Sequence, residues 1–349
     1  MKLVVATQSY QLQKPIRTAI GTMDLRIGWR VVLEAAGFVG RGEAMPMPSF
    51  GTETPQACKA ALDSFEFSAI PESLEDIAAA TAQLMATPCA RFAVECALLE
   101  HLARRRNVPV SSLLSAKPRT ELTVNALIEG DDAAALAFAA ERAAREGFSV
   151  VKVKVAARPL AVDAQRLLAV RRAVGPNVKI RVDANGGWTE ASARSALRGL
   201  EVLNLEVCEQ PVAPNEVEGL RRLRYHVPCR IAVDETMLIS ESFERVLQRD
   251  PKAAADVLVL KPAALGGLLP ALEFARRGFA SGIESFVTTL MDGPLARAAA
   301  AQLAAVLPGG DVWAHGLSTF ELFKNVANDA YTPVHGKIHL PQTVGWGVL

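Results

Sequence analysis

The sequence predicts an α/β protein: a TIM-type (β/α) barrel preceded by a smaller α+β domain. Three observations carry this expectation. Short apolar runs alternate with helical stretches from residue 122 onward, five polar strand ends recur at even steps, and the first 115 residues follow a different pattern.

In chain order, Leu3–Gln11 and Trp29–Ala35 alternate apolar and polar residues as strands do, and Thr54–Phe65, Leu74–Thr81 and Ala90–Arg105 carry the helical period. Ser115–Arg119 is the expected junction. Strand-like runs then fall at Leu122–Ile128, Val150–Val155, Lys179–Val182, Leu205–Val207, Arg230–Val233, Asp256–Leu260, Glu284–Thr289 and Asp311–Trp313. Stretches such as Ala133–Glu146, Asp163–Val174 and Thr189–Leu200 are helical, which gives about one strand-loop-helix unit per step. The tail Val334–Leu349, with Gly336, Pro341, Gly345 and Gly347, has no helical period and is expected to return to the first domain. The expected division is 1–115, rejoined by about 325–349, and a barrel over 116–324.

With 349 residues, 50% of them apolar, the chain can build a large core. Its 38 basic and 37 acidic residues leave a net charge of +1, so no field of one sign draws nucleic acid or an anionic membrane. A small molecule is the expected partner, and homo-oligomerisation is compatible with this composition. Cys58, Cys89, Cys96, Cys208 and Cys229 form no C-x-x-C pair and read as reduced, buried thiols. The apolar run at Met1–Val5 is too short for a signal peptide, and residues 253–275 are cut by Asp256, Lys261 and Glu273. The expectation is a soluble cytoplasmic protein.

In a barrel of this kind, chemistry sits at the C-terminal ends of the strands. The five ends read Val151-Lys152-Val153-Lys154, Arg181-Val182-Asp183-Ala184-Asn185, Val207-Cys208-Glu209-Gln210-Pro211, Ala232-Val233-Asp234-Glu235 and Leu258-Val259-Leu260-Lys261-Pro262. Three carboxylates on adjacent strands, with a lysine on either flank, would converge on the mouth. Such carboxylates repel one another and drift toward protonation unless a cation lies between them. An all-oxygen donor set suits a hard ion, Mg²⁺, and no Cys/His set with zinc spacing competes. A lysine beside another ammonium, as Lys154 is beside Lys152, can lose its proton near a metal and act as a base. The chemistry this predicts is removal of a proton from the carbon next to a carboxylate, a weak acid whose anion needs a divalent ion at its oxygens.

Each residue also has a structural reading. Asp183 or Asp234 alone serves as the N-cap of the next helix as readily as a ligand, and Lys261 before Pro262 reads as a solvated strand end. Glu209, closing an apolar strand, needs a partner. The set of five at one register is specific where its members are not. His101, His226, His315, His335 and His339 form no catalytic spacing, with His335 and His339 read as surface or packing residues. Gly186-Gly187 and Gly266-Gly267 read as tight turns, and Arg104–Arg106 as a charged helix end.

The runs Lys152-Val153-Lys154, Asp183-Ala184-Asn185-Gly186-Gly187-Trp188, Glu209-Gln210-Pro211, Asp234-Glu235-Thr236 and Lys261–Gly267, in this order and spacing, resemble the enolase superfamily. Within it they look like the muconate-lactonising subgroup. The resemblance implies a (β/α)7β barrel under an N-terminal α+β capping domain. It implies Asp183, Glu209 and Asp234 as Mg²⁺ ligands and Lys154 as the base that then protonates a departing hydroxide in a syn elimination. It gives Lys261 the stabilisation of the enediolate, and Lys152, Asn185 and Glu235 a supporting role in charge and orientation. The loop Ile20–Arg26 and the turn near Phe50-Gly51-Thr52 would close over the mouth.

Gly40–Pro48, Phe50–Thr54, Asp292–Leu307 and Ala314–Thr319 are most similar to o-succinylbenzoate synthases. That likeness implies dehydration of 2-succinyl-6-hydroxy-2,4-cyclohexadiene-1-carboxylate in menaquinone biosynthesis. Departures are Phe286–Asp292 at the seventh strand, where relatives often carry Ser or Glu, and Ala19, where some synthases have histidine. An N-succinyl or N-acylamino-acid racemase would use the same lysine pair. Dipeptide epimerases usually carry a D-x-D at the eighth strand, whereas this chain has no acid in the few residues after Asp311. A Schiff-base aldolase or a non-catalytic barrel would leave the three carboxylates without a role.

Overall fold

The computed structural model describes residues 2–18, 21–67, 69–249, 251–310, 313–324 and 326–348. Strands β1 (Lys2–Thr18), β2 (Gly21–Ala35) and β3 (Phe38–Ala44) form an antiparallel sheet in the order β1-β2-β3. Helices Pro55–Asp63, Leu74–Thr81, Pro88–Arg106 and Val110–Leu114 follow. Eight parallel strands come next: β4 (Glu121–Ile128), β5 (Val150–Lys154), β6 (Lys179–Asp183), β7 (Leu205–Glu209), β8 (Arg230–Val233), β9 (Val257–Leu260), β10 (Glu284–Val287) and β11 (His315–Ser318).

Their order, β10-β9-β8-β7-β6-β5-β4-β11, closes through a parallel bridge between Thr288 and Gly316. Seven longer helices connect them among the described residues, which gives the expected (β/α)7β barrel beneath an N-terminal capping domain. Barrel strands are packed on both faces, so they read as unbroken apolar runs; all four residues of β9 are buried. The barrel floor holds Phe286 and Trp313, with the Arg181 guanidinium 4.8 Å and 5.4 Å from their ring centroids. Arg181 also donates to Glu206 Oε2 at 2.6 Å and to the Ala314 carbonyl at 2.7 Å.

The helix Pro88–Arg106 is buried along Cys89 and along Ala90, and again from Phe92 to Ala103, because it lies between the capping sheet and the barrel. Gly40 and Gly42 permit its approach: a Cβ on either would stand 1.9 Å from the Ala97 carbonyl oxygen or 1.8 Å from that of Ala93. On the barrel side, Glu95 Oε1 accepts the N–H groups of Leu268 (2.5 Å) and Leu269 (3.0 Å), the free donors that open helix Leu268–Ala280. The tail adds β12 (Lys337–His339), antiparallel to β4, and touches the capping domain where Trp346 Nε1 donates to the Arg41 carbonyl at 3.0 Å.

Several expectations are corrected. The eighth strand is His315–Ser318, not Asp311–Trp313. The Trp313 ring is committed to the barrel floor, its Nε1 donating to Glu284 Oε2 at 2.7 Å, and pairing with β4 begins at His315; Asp311 and Val312 lie outside the described residues. The first two strands are longer than the alternation suggests, and β3 was absent from the strand reading because Gly40 and Gly42 depress strand propensity. Of the expected loop Ile20–Arg26, Gly21 to Arg26 belong to β2, since cross-strand pairing runs to Thr18↔Gly21; Ile20 lies outside the described residues, as does Ala19. All five cysteines are free and buried. Among the described residues, no helix is long and apolar enough to cross a membrane.

Candidate active site

The parallel register aligns Lys154 with Asp183 and Asp183 with Glu209 across β5, β6 and β7, while Asp234 and Lys261 directly follow β8 and β9. Lys152, two residues before Lys154, shares its face of β5. Its Nζ lies 2.9 Å from Asp183 Oδ2 and 2.7 Å from Glu209 Oε1. Lys261 Nζ donates to Asp234 Oδ2 and sits 3.8 Å from the centroid of Phe50, a ring supplied by the capping domain. The strand-end residues thus converge, and the structure holds Lys152 and Lys261 against the acids.

The supporting residues brace the loops. Asn185, in the left-handed region at φ 43°, donates its side-chain N–H to Glu235 Oε1 at 3.0 Å and its backbone N–H to Asp183 Oδ1 at 3.0 Å. Gln210, to which the sequence reading gave no role, is buried between two strand ends. Its Oε1 accepts the Asp234 N–H at 3.0 Å, and its Nε2 donates to Thr236 Oγ1 at 2.8 Å and to the Val212 carbonyl at 2.9 Å. The signal for it was an amide directly after an apolar strand.

The N-cap reading of the aspartates fails. Thr189 caps the helix after β6, accepting the Ser192 N–H at 3.2 Å, and the Asp234 side chain makes no capping bond.

Asp183, Glu209 and Asp234 are 2–3% exposed. Burial alone would raise Asp183, but the ammonium groups of Lys152 and Lys154 outweigh it and hold the carboxyl below its ordinary range. Glu209 is pushed up by burial and by the neighbouring charge of Asp183. Burial would lower both Lys152 and Lys261, yet the acids around them keep both above the ordinary lysine value.

Part of this cluster opens into a pocket, with Glu209 and Asp234 buried behind its lining. Lys152, Lys154, Asp183, Asn185 and Lys261 line one part of it, and Met47 and Phe50 reach it from the capping domain. Asn125, Leu127 and Glu129 come from the end of β4. Thr288, Thr289, Leu290 and Met291 follow β10, and Ser318, Thr319 and Leu322 come from the end of β11. Lys154 is exposed here, and among the described residues its ammonium has no hydrogen-bonded partner.

The donor set fits a hard cation in its chemistry: three buried carboxyl groups, all oxygen, at neighbouring strand ends. Their charge is met by lysines, and among the described residues no three His, Cys, Asp or Glu side chains stand gathered as ligands. A divalent ion would compete with Lys152 for Asp183 and Glu209, and with Lys261 for Asp234.

Sequence reasoning missed a second polar network, at the seam between cap and barrel. Arg26, 3% exposed, donates to the carbonyls of Met45, Pro46, Leu290 and Met291. Glu43 Oε1 accepts the Gly293 N–H at 2.6 Å, and its Oε2 accepts the Tyr10 hydroxyl at 2.8 Å. Burial pushes Glu43 up to about 7 and Asp292 up to about 6. His315 is buried as well, its Nδ1 accepting the Val287 N–H at 3.1 Å. Burial and the charges of Arg119 and Arg181 depress its pKa to about 3.

Comparison with known proteins agrees with this architecture. The family model "Mandelate racemase / muconate lactonizing enzyme, N-terminal domain" matches residues 1–115, and "Enolase C-terminal domain-like" matches residues 134–349. Muconate cycloisomerase 1 of Acinetobacter baylyi is 29% identical over 318 residues, covering 88% of this chain and 82% of that protein. The L-Ala-D/L-Glu epimerase of Bacillus subtilis is 30% identical over 305 residues, covering 84% and 81%. A substrate-liganded structure of the B. subtilis epimerase superposes with a TM-score of 0.90 at 26% identity, over 100% of this chain and 98% of that one. Strand order, capping domain and family models converge: the chain is an enzyme of the enolase superfamily, in its mandelate racemase/muconate lactonizing enzyme branch.

Proposed function

We propose that this enzyme is an o-succinylbenzoate synthase, a hydro-lyase that removes water from 2-succinyl-6-hydroxy-2,4-cyclohexadiene-1-carboxylate. The likeness of Gly40–Pro48 and Asp292–Leu307 to o-succinylbenzoate synthases selects dehydration, and the observation that carries proton abstraction beside a carboxylate is the placement of two lysines on one pocket. Lys154 enters it from β5 and Lys261 from the end of β9, with the three acid-bearing strands β6, β7 and β8 between them. Lys154 reaches the pocket with its Nζ making no hydrogen bond among the described residues, so it can approach a substrate carbon; Lys261, kept cationic by its acidic neighbours, is suited to hold charge.

A Mg²⁺ ion held by Asp183, Glu209 and Asp234 would supply positive charge at the substrate's carboxylate oxygens. Lys154 Nζ, as the amine, takes the proton from the carbon beside that carboxylate, and the electron pair moves onto the carboxylate. Lys261 Nζ stabilises the charge gathered there. The carbon–oxygen bond to the neighbouring hydroxyl then breaks, the ring becomes aromatic, and Lys154 returns its proton to the departing hydroxide as water. Lys152 balances Asp183 and Glu209, and the Asn185–Glu235 bond braces the two loops that carry Asp183 and Asp234.

The wall beyond β11 favours dehydration over dipeptide epimerisation. It presents the hydroxyls of Ser318 and Thr319 and no pair of acids; among the described residues, the carboxylates that line the pocket are Asp183 on β6 and Glu129 at the end of β4. The test is loss of diene absorbance with Mg²⁺ present, with and without EDTA. Rapid, EDTA-sensitive conversion supports the synthase. No conversion, together with Mg²⁺-dependent α-proton exchange in N-succinyl amino acids followed in D₂O, would replace it with racemisation at the same lysines.

A further inference from the structure

We infer that Arg26 is a positioning residue that sets the shape of the substrate pocket from outside it. Arg26 lies on β2 of the capping sheet and does not line the pocket, yet its guanidinium grips both walls that do. Nη1 and Nη2 donate to the carbonyls of Pro46 (2.8 Å) and Met45 (2.5 Å), directly before Met47 and four residues before Phe50. Nε and Nη2 donate to the carbonyls of Met291 (3.1 Å) and Leu290 (3.3 Å), two residues that form the wall after β10.

A buried guanidinium loses its hydration, and four backbone carbonyls are what replace it here. Those carbonyls belong to segments about 245 residues apart in sequence, so one planar fork fixes cap and barrel relative to each other at the mouth. The second segment needs holding. Met291 sits at φ 54°, a left-handed conformation that costs a non-glycine residue and persists only when its surroundings impose it. Its neighbours supply the rest of the restraint. Asp292 Oδ2 accepts the Leu290 N–H at 2.8 Å, and Glu43 accepts the Gly293 N–H. Arg26 therefore holds the carbonyls of the turn while two carboxyl groups hold its N–H groups, and Leu290 and Met291 are presented to the pocket. Without the fork, the turn can relax toward an unstrained conformation, moving the wall while Lys154 and Lys261 stay in place.

The experiment compares Arg26→Met, which keeps the length and removes every donor, with Arg26→Lys, which restores one cationic donor group. Amide exchange over residues 45–50 and 288–293 is followed by mass spectrometry beside the melting temperature, and KM and kcat are measured on the diene substrate. The expected result is faster exchange confined to those two segments, a KM raised about tenfold with kcat within about threefold, and partial recovery in Arg26→Lys. Unchanged local exchange and KM in a folded Arg26→Met protein would overturn the inference and leave Arg26 a general stabiliser. If Arg26→Met does not fold, Arg26→Gln is measured by the same readouts and judged by the same outcomes. The kinetic arm rests on the synthase reading and the exchange arm does not. A wild-type enzyme inert toward the diene would therefore sink the synthase while exchange still decides the role of Arg26.

Discussion

Glu95 offers a sharp test of the energetics at the seam between cap and barrel. Its carboxyl is fully buried, one oxygen accepts the N–H groups of Leu268 and Leu269, and the other has no hydrogen-bond partner. Burial pushes its pKa from 4.5 up to about 7, although those N–H groups and Arg91 pull it back. A folded value above the unfolded one means that stability present in full below pH 4.5 is lost as the pH rises through 7. The gap corresponds to about 3 kcal/mol once the group is ionised. With about 2.1 cal/mol/K of unfolding entropy per residue, the chain loses about 0.7 kcal/mol per degree, so Glu95 should lower the melting temperature by about 4 °C.

Glu95→Gln keeps the oxygen that accepts both N–H groups and removes the titration. Melting curves from pH 5 to 8.5, followed by tryptophan fluorescence, should show the variant gaining about 3.5 °C on the wild type across that range, half of it by about pH 6 and nearly all of it by about pH 7.5. A difference that stays constant with pH would refute the reasoning, because Glu95 would then be ionised throughout at no special cost.

Four further outcomes are expected. Lys154→Ala should lose about 10²–10⁴-fold in turnover with an unchanged melting temperature, and near-wild-type activity would remove it as the base. Mg²⁺ should raise the melting temperature of the wild type, EDTA should reverse this, and Asp234→Asn should weaken the effect; an identical titration in the variant excludes Asp234 as a ligand. His315, with a folded pKa of about 3 against 6.5, costs nothing above pH 6.5 and destabilises increasingly as the pH falls. His315→Gln should therefore flatten the acid limb of the stability profile, by about 2.3 kcal/mol between pH 6.5 and 4.5, and parallel limbs would show that the ring protonates in the folded state. Gly42→Ala drives a Cβ to 1.8 Å from the Ala93 carbonyl oxygen and should cost at least about 3 kcal/mol, read as a lower melting temperature, because the buried helix must move as a body.

The barrel was legible in the sequence because both determinants of its strands are local. A strand packed on two faces must be apolar, and its last residue at the mouth is polar because that is where the packing ends. Lys154, Asp183, Glu209, Asp234 and Lys261 stood out for that reason. β3 and β11 were misread because tertiary demands override propensity there. Gly40 and Gly42 are dictated by a helix more than fifty residues downstream, and Trp313, which reads as strand, is used as a plug. The Arg26 and Glu95 networks left no trace, since their acceptors and donors are largely backbone atoms, which every residue possesses. Sequence separations of 265 and 173 put those partners beyond any pattern.

The tail has a consequence for how the molecule is made. β4 opens the barrel, yet one flank finds its parallel neighbour only at His315–Ser318, and its first residues pair with Lys337–His339. A growing chain therefore presents β4 as an uncovered edge until nearly all the barrel has been synthesised. Ring closure is the late, long-range event in assembly. Nascent chains stalled before residue 315 would be the aggregation-prone species, and trimming the last dozen residues, which carry the fully buried Trp346, should slow folding as well as destabilise the product.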